Sequence, residues 1–261
     1  MQSLVMGVLN VTPDSFSDGG RWFDREAAIL RGLELVAEGA DVIDVGGEST
    51  RPGAGPVDEA EERRRVLAVV EALAPHVRVS IDTYKAGVAR AAVDAGASIV
   101  NDVSASLAEV AASCGVGWIA MHMQGAPRTM QEDPRYVDVV GEVRDFLLER
   151  ARAAVSAGVG EVWIDPGIGF GKTPEHNLSL LRHLRALVDT GFDVVVGASR
   201  KSFLGRLTGA GPDLPAPVED RGEASLAASV WAMTAGAAMV RVHDVAATVQ
   251  AARIVGQPVP V

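Results

Sequence analysis

The 261-residue sequence predicts a single-domain (β/α)8 barrel of the TIM-barrel class, with residues 1–261 forming one unit. Three observations predict it. Short apolar runs alternate with amphipathic helical patterns along the whole chain, the runs number eight, and no Pro/Ser-rich linker interrupts them. Hydrophobic residues make up 48% of the chain and aromatics only 5%, so the core is built from Ala, Val, Leu and Ile, the mixture of parallel strands covered by helices.

The elements follow in order. Leu4 to Leu9 reads as the first strand, since the amino terminus has no basic segment and too short an apolar run for a signal peptide. Arg25 to Glu38 has helical periodicity and ends before Gly39, a C-terminal cap. Val42 to Val45 is the second strand, and Asp58 to Leu73 the next helix. Val79 to Ile81, a helix over Gly87 to Asp94 closed by Gly96, and Ile99 to Val100 follow. Trp118 to Met121 precedes the long helix Val139 to Ser156, which ends before Gly158. Val162 to Ile164, a helix over Asn177 to Val188, Val194 to Val196, a helix over Glu223 to Thr234 and Met239 to Val242 complete the series. Ala224 to Val240, the longest uncharged stretch, is slightly short of a bilayer span and reads as a helix followed by a strand. Gly209 to Gly222 is the one long irregular segment, a candidate mobile loop. Strict alternation makes every strand parallel and every crossover right-handed, which eight units satisfy better by closure than as an open doubly wound sheet.

Composition excludes some partners. A formal net charge of -10 and a pI near 5.0 argue against duplex nucleic acid, whose binding rests on neutralised phosphates. No stretch reads as a membrane segment. The lone Cys114 has no partner for a disulfide and no metal-spaced neighbours, so it reads as a small core residue in a reducing cytoplasm.

In such a barrel the chemistry sits at the carboxyl ends of the strands. There the sequence places Asn10, the GGESTRPG loop, Asp82, Asn101, His122, Asp165, Ser199 with Lys201, and Arg241 with His243. Each alone reads as a capped or solvated strand end, and together they read as one polar mouth. Ionised Asp82 and Asp165 only accept, so beside Asn10 and Asn101 they call for a ligand rich in N–H donors or a cation. Lys201, Arg241 and His243 form a basic side suited to an anion, their bland alternative being pairing of Arg241 and His243 with Asp244. DPGIGFGKT invites a phosphate-loop reading, but the first glycine of that motif would fall on Pro166, so it reads as a turn.

GVLNVTPDSFSDGG, DVGGESTRPGA, VSIDT, VNDVS, DPGIGFGKT, VGASRKSFLG and RVHDV resemble, in order and spacing, the motifs of the dihydropteroate synthase family, the folate-pathway target of sulfonamides. The resemblance runs from Met6 to Asp244. It implies a transferase that condenses 6-hydroxymethyl-7,8-dihydropterin pyrophosphate with p-aminobenzoate. It puts Asp82, Asn101, Asp165 and Lys201 around the pterin, and Arg241 and His243 with Asn10 at the pyrophosphate, Asn10 also holding Mg²⁺. Phe16, Thr50, Arg51, Pro52, Phe170 and Ser199 fall at the p-aminobenzoate, with Asp82, Lys201, Arg241 and His243 carrying the catalysis. A cytoplasmic homodimer is implied too. The competing readings are the pterin-binding barrel of a corrinoid methyltransferase, which holds no pyrophosphate, and a non-catalytic pterin-binding paralogue.

Overall fold

In the computed structural model, which describes residues 2–12, 21–49, 55–126, 129–211 and 214–257, eight parallel strands close into one barrel in sequence order. They are β1 (Leu4–Asn10), β2 (Val42–Gly46), β3 (Arg78–Asp82), β4 (Ile99–Asp102), β5 (Gly117–Met121), β6 (Val162–Asp165), β7 (Asp193–Val196) and β8 (Met239–Val242). The helices are α1 (Arg21–Ala37), α2 (Glu59–Leu73), α3 (Ala86–Asp94), α4 (Ala108–Cys114), α5 (Val139–Ser156), α6 (Pro174–Arg182), α7 (Arg185–Val188), α8 (Ser202–Thr208), α9 (Gly222–Thr234) and α10 (Val245–Val255). The barrel is sealed where β1 pairs with β8, Leu4 opposite Met239 and Met6 opposite Arg241.

Alternation along each strand sorts the side chains into two cores. Met6, Val42, Ile99, Ile119, Trp163, Val195 and Met239 fill the lumen as an apolar floor. Their neighbours Val5, Ile43, Val79, Val100, Ala120, Ile164, Val194 and Val240 face outward into the larger core beneath the helices. Burial on both faces is why the strands read as continuous apolar runs. Two positions beyond the floor in the same parity lie Asp44, Asn101, Asp165, Gly197 and Arg241, so the polar mouth stands directly on an apolar plug.

Local signals account for the helix ends. Asp58 caps α2 by accepting from the Glu61 amide at 2.8 Å, with Glu59, Glu61 and Glu62 in the first turn where the helix dipole favours acid. Thr173 and His176 form a reciprocal box at the start of α6. Gly39, Gly96 and Gly158 stand at φ of 100°, 114° and 98°, as expected of cap positions.

The helix expected over Asn177 to Val188 is instead two, α6 and α7. His183 donates from Nδ1 to the Ser179 carbonyl at 2.9 Å, its backbone leaves helical geometry, and Leu184 turns fully into the core. The Gly209 to Gly222 segment is stapled on its described part: the Ala216 amide bonds the Gly205 carbonyl, and Arg221 reaches the carbonyls of Ala216 and Arg200. Cys114, expected as a core residue, is only half-buried, beside Arg90. Among the described residues, no helix is long and apolar enough to cross a membrane.

Candidate active site

The mouth is organised around Arg241, which β8 projects into the lumen. Its Nε donates to Asp44 Oδ2 at 2.6 Å and its Nη2 to Asp82 Oδ2 at 2.8 Å. Burial works against the guanidinium charge, yet Asp44 and Asp82 raise its pKa. The Nη1 edge has no partner among the described residues. Asn101 joins the same cluster, its Nδ2 donating to Asp44 Oδ2 at 3.0 Å.

Burial pushes Asp82 up to about 7, with the negative charges of Asp44 and Glu62 adding to it and Arg241 opposing. Asn10 meets Asp82 across Gly46: a side chain at Gly46 would lie 3.7 Å from Asp82 Oδ2 and 3.8 Å from Asn10 Oδ1. Gly197 does the same between Asp165 Oδ2 and Arg241, so two lumen-facing glycines hold the space between the polar groups open.

Asp165 accepts the Gly167 amide on Oδ1 at 2.7 Å, leaving Oδ2 towards the mouth, and burial raises its pKa. Lys201 lies beside it. Its ammonium bonds the Ile168 carbonyl and sits 4.2 Å above the Phe170 ring, while burial brings its pKa down to about 7. Lys201 and Phe170 thus form one wall with the carboxylates, and the expected grouping of Lys201 with the anion side is corrected. The structure brings Asp82, Asn101, Asp165, Lys201 and Phe170 to the lumen around Arg241.

On the far side Ser199 Oγ is 3.0 Å from His243 Nδ1 and accepts the His243 amide at 3.2 Å. Asp244 pairs with neither Arg241 nor His243. Its carboxylate takes Arg200 through Nη2 at 2.5 Å and Nε at 3.3 Å. Arg200 holds an uncommon left-handed backbone, φ 58°, fastened by Ser225 Oγ on its amide and Arg221 on its carbonyl. Phe16, Thr50, Arg51 and Pro52 lie outside the described residues.

His122 is a second correction, because it does not line the mouth. Met121 has the lumenal parity, so His122 points behind the barrel, its ring 5.0 Å from that of Phe146 on α5. Lys172, the lysine of the rejected phosphate loop, is buried against it, 3.0 Å from His122 Nδ1 and within 3.3 Å of the carbonyls of His122, Gly167 and Phe170. Burial and the Lys172 charge bring His122 down to about 3, so it is neutral at physiological pH. Gly167 and Gly171 wrap this strut at φ 64° and 60°; a Cβ would stand 1.8 Å from the His122 carbonyl oxygen and 2.3 Å from that of Gln124. DPGIGFGKT is therefore a turn built on a buried lysine, one that aims Asp165 and Phe170.

The chemistry of this mouth is that of acceptors beside a clamped cation. Asp82, Asn101 and Asp165 converge on the lumen, Arg241 keeps one donor edge, and Ser199 with His243 continues the polar wall. Asp44 is the residue that strand ends alone do not reveal, because it lies inside β2 and not after it.

The chain is similar to known proteins over nearly its whole length. Residues 6–243 match the model of the family described as pterin binding enzyme. The chain is 50% identical to the dihydropteroate synthase of Mycobacterium leprae, over 97% of this chain and 92% of that one. Among solved structures, the Xanthomonas albilineans dihydropteroate synthase with 4-aminobenzoic acid is 46% identical with a TM-score of 0.91, over 99% of this chain and 94% of that one. The Yersinia pestis dihydropteroate synthase in complex with a sulfonamide drug is 43% identical with a TM-score of 0.88, over 97% and 93%.

Proposed function

This chain belongs to the pterin-binding enzyme family, and on that premise we propose that its barrel mouth carries out the dihydropteroate synthase reaction. In it p-aminobenzoate displaces the diphosphate of 6-hydroxymethyl-7,8-dihydropterin diphosphate, giving 7,8-dihydropteroate and pyrophosphate. The observation that supports the reading best is the placing of Arg241: two of its nitrogens are tied to Asp44 and Asp82, and the remaining edge is open to an anion next to a pocket of acceptors.

Asp165 Oδ2 takes the adjacent N–H groups of the pterin, with Asn101 and Asp82 on neighbouring donors and Lys201 over Phe170 closing the ring face. The bond from the methylene carbon to the diphosphate oxygen breaks first, and the electron pair leaves with that oxygen. The positive charge left behind spreads into the pterin ring, where Asp82 and Asp165 stabilise it more than they stabilise the neutral ground state. Pterin N–H donors favour the ionised form of Asp82, whose proton burial otherwise retains to about pH 7. Arg241 and His243 take up charge on the diphosphate. The arylamine then attacks with its own lone pair and loses its proton afterwards, so no residue serves as an obligate general base and positioning supplies most of the rate.

Among the described residues, no cluster of three His, Cys, Asp or Glu could hold a metal. Asn10 Oδ1 nonetheless fits Mg²⁺, which accepts one or two protein oxygens and takes its other ligands from water and substrate phosphates. Asn10 would hold it, and a bound Mg²⁺ would supply charge neutralisation at the diphosphate. Ser199, Phe170, Phe16, Thr50, Arg51 and Pro52 make up the p-aminobenzoate side, which sulfonamides also occupy. A cytoplasmic homodimer belongs to the same reading.

Arg241→Leu tests the reading. It should weaken binding of the pterin diphosphate by roughly 100-fold, about 3 kcal/mol, and binding of the matching pterin alcohol far less. Equal losses for the two ligands would take Arg241 away from the diphosphate.

A further inference from the structure

We propose that Asp44 is the positioning residue of the pocket: it clamps Arg241 and turns the Asn101 amide so that Asn101 shows the ligand its carbonyl oxygen, an acceptor. This deepens the reading of the mouth as a pterin site and rests on it. Asp44 lies in the middle of β2, fully buried, in lumenal phase with Val42 below and Gly46 above. One atom, Oδ2, takes both Arg241 Nε at 2.6 Å and Asn101 Nδ2 at 3.0 Å. Oδ1 is sealed from solvent and has no partner among the described residues.

A carboxylate oxygen beside a guanidinium accepts and does not donate, so only the NH₂ of Asn101 can face it. That fixes an amide whose orientation would otherwise be free: its oxygen points away from Asp44, without a partner among the described residues, into the mouth. With Asp165 Oδ2 and Asp82, the ligand then meets acceptors at all three points. The pocket therefore demands an N–H at each and rejects a ring that places a bare nitrogen opposite Asn101, because two acceptors would face each other with no proton between them. Arg241 is set by the same oxygen. Tied through Nε to Asp44 and through Nη2 to Asp82, the guanidinium has its plane decided before any ligand arrives, and its Nη1 edge is aimed without a loss of rotamer freedom on binding.

Because only Oδ2 is used, two substitutions separate the acceptor from the charge. Asp44→Asn can keep an oxygen at that place and retain both bonds, whereas Asp44→Leu fills the same space and removes both. Steady-state kinetics with both substrates, and calorimetry with 6-hydroxymethyl-7,8-dihydropterin, whose reduced ring carries the N–H groups the pocket calls for, read the outcome. Asp44→Leu should raise the pterin Kd and the KM for the pterin diphosphate by about 30-fold or more, Asp44→Asn by roughly a third of that on a logarithmic scale. The KM for p-aminobenzoate should move less than about threefold in either.

A folded Asp44→Leu protein with an unchanged pterin Kd overturns the proposal, as do equal losses in the two variants or a matching rise in the p-aminobenzoate KM. If Asp44→Leu does not fold, the ¹⁵N-labelled Asn101 side chain of the unaltered protein decides. Its Asp44-bound amide proton should exchange slowly both free and with pterin bound, and fast exchange, or a proton that turns to the ligand, refutes the orientation. Failure of the unaltered protein to bind the pterin at all would instead count against the pterin reading, since the amide measurement on the free protein stands apart from it.

Discussion

Asp165→Asn isolates what one carboxylate oxygen contributes to ligand recognition. In the folded protein Oδ1 is occupied by the Gly167 amide at 2.7 Å and Oδ2 faces the space kept open by Gly197. The asparagine keeps its oxygen on Gly167, because that amide can only donate, so its NH₂ falls where Oδ2 was. A donor then opposes the pterin N–H groups in a buried site. The loss combines a charge-assisted hydrogen bond with a donor left facing a donor, together about 2–4 kcal/mol, or roughly 30- to 1,000-fold in Kd. Titration calorimetry of 6-hydroxymethylpterin into both proteins measures it, with thermal melting as the control, since the turn-forming bond to Gly167 is retained. A Kd within threefold of the parent at equal melting temperature would refute the placing of Oδ2 in the pocket.

Two further predictions concern the loops and the buried strut. Pro52→Ser or Phe16→Leu should raise the ratio of the sulfonamide inhibition constant to the p-aminobenzoate KM by about ten- to two-hundred-fold, the effect expected when the larger inhibitor alone forfeits its packing against the loop; a ratio at the parent value would remove these residues from the inhibitor-facing wall. His122, held near 3 in the folded protein against 6.5 in the open chain, contributes stability that is complete above about pH 6.5 and is lost as pH falls towards 3, because the unfolded chain takes up the proton first. Urea denaturation across that window should show a steeper loss for the parent than for His122→Gln, and identical pH profiles would contradict the buried neutral assignment.

The barrel was legible because its strands are buried on both faces and its helices carry period, caps and glycine stops, all local properties. The strand ends were legible too, and Asp82, Asn101, Asp165 and Arg241 do share one lumen. Strand parity sends His122 outward and picks out Asp44, which lies two residues from both Val42 and Gly46 in a run that otherwise reads as plain core. What parity cannot give is the reach of long side chains. Lys201 turns to Ile168 and Phe170, Arg241 turns inward to two carboxylates, and Arg200 takes Asp244, each decided by the nearest acceptor in three dimensions. Lys172 shows the same limit: its sequence context resembled a phosphate loop, and its partners are carbonyls brought together only by the closed barrel.

The most direct test is a turnover measurement with 6-hydroxymethyl-7,8-dihydropterin diphosphate, p-aminobenzoate and Mg²⁺, following dihydropteroate and pyrophosphate in the same sample. Equimolar formation of both products, abolished by omitting p-aminobenzoate for the pteroate and reduced by a sulfonamide, is the predicted result. Folded protein that forms neither product, or pyrophosphate released by hydrolysis with no carbon–nitrogen bond made, would contradict the account.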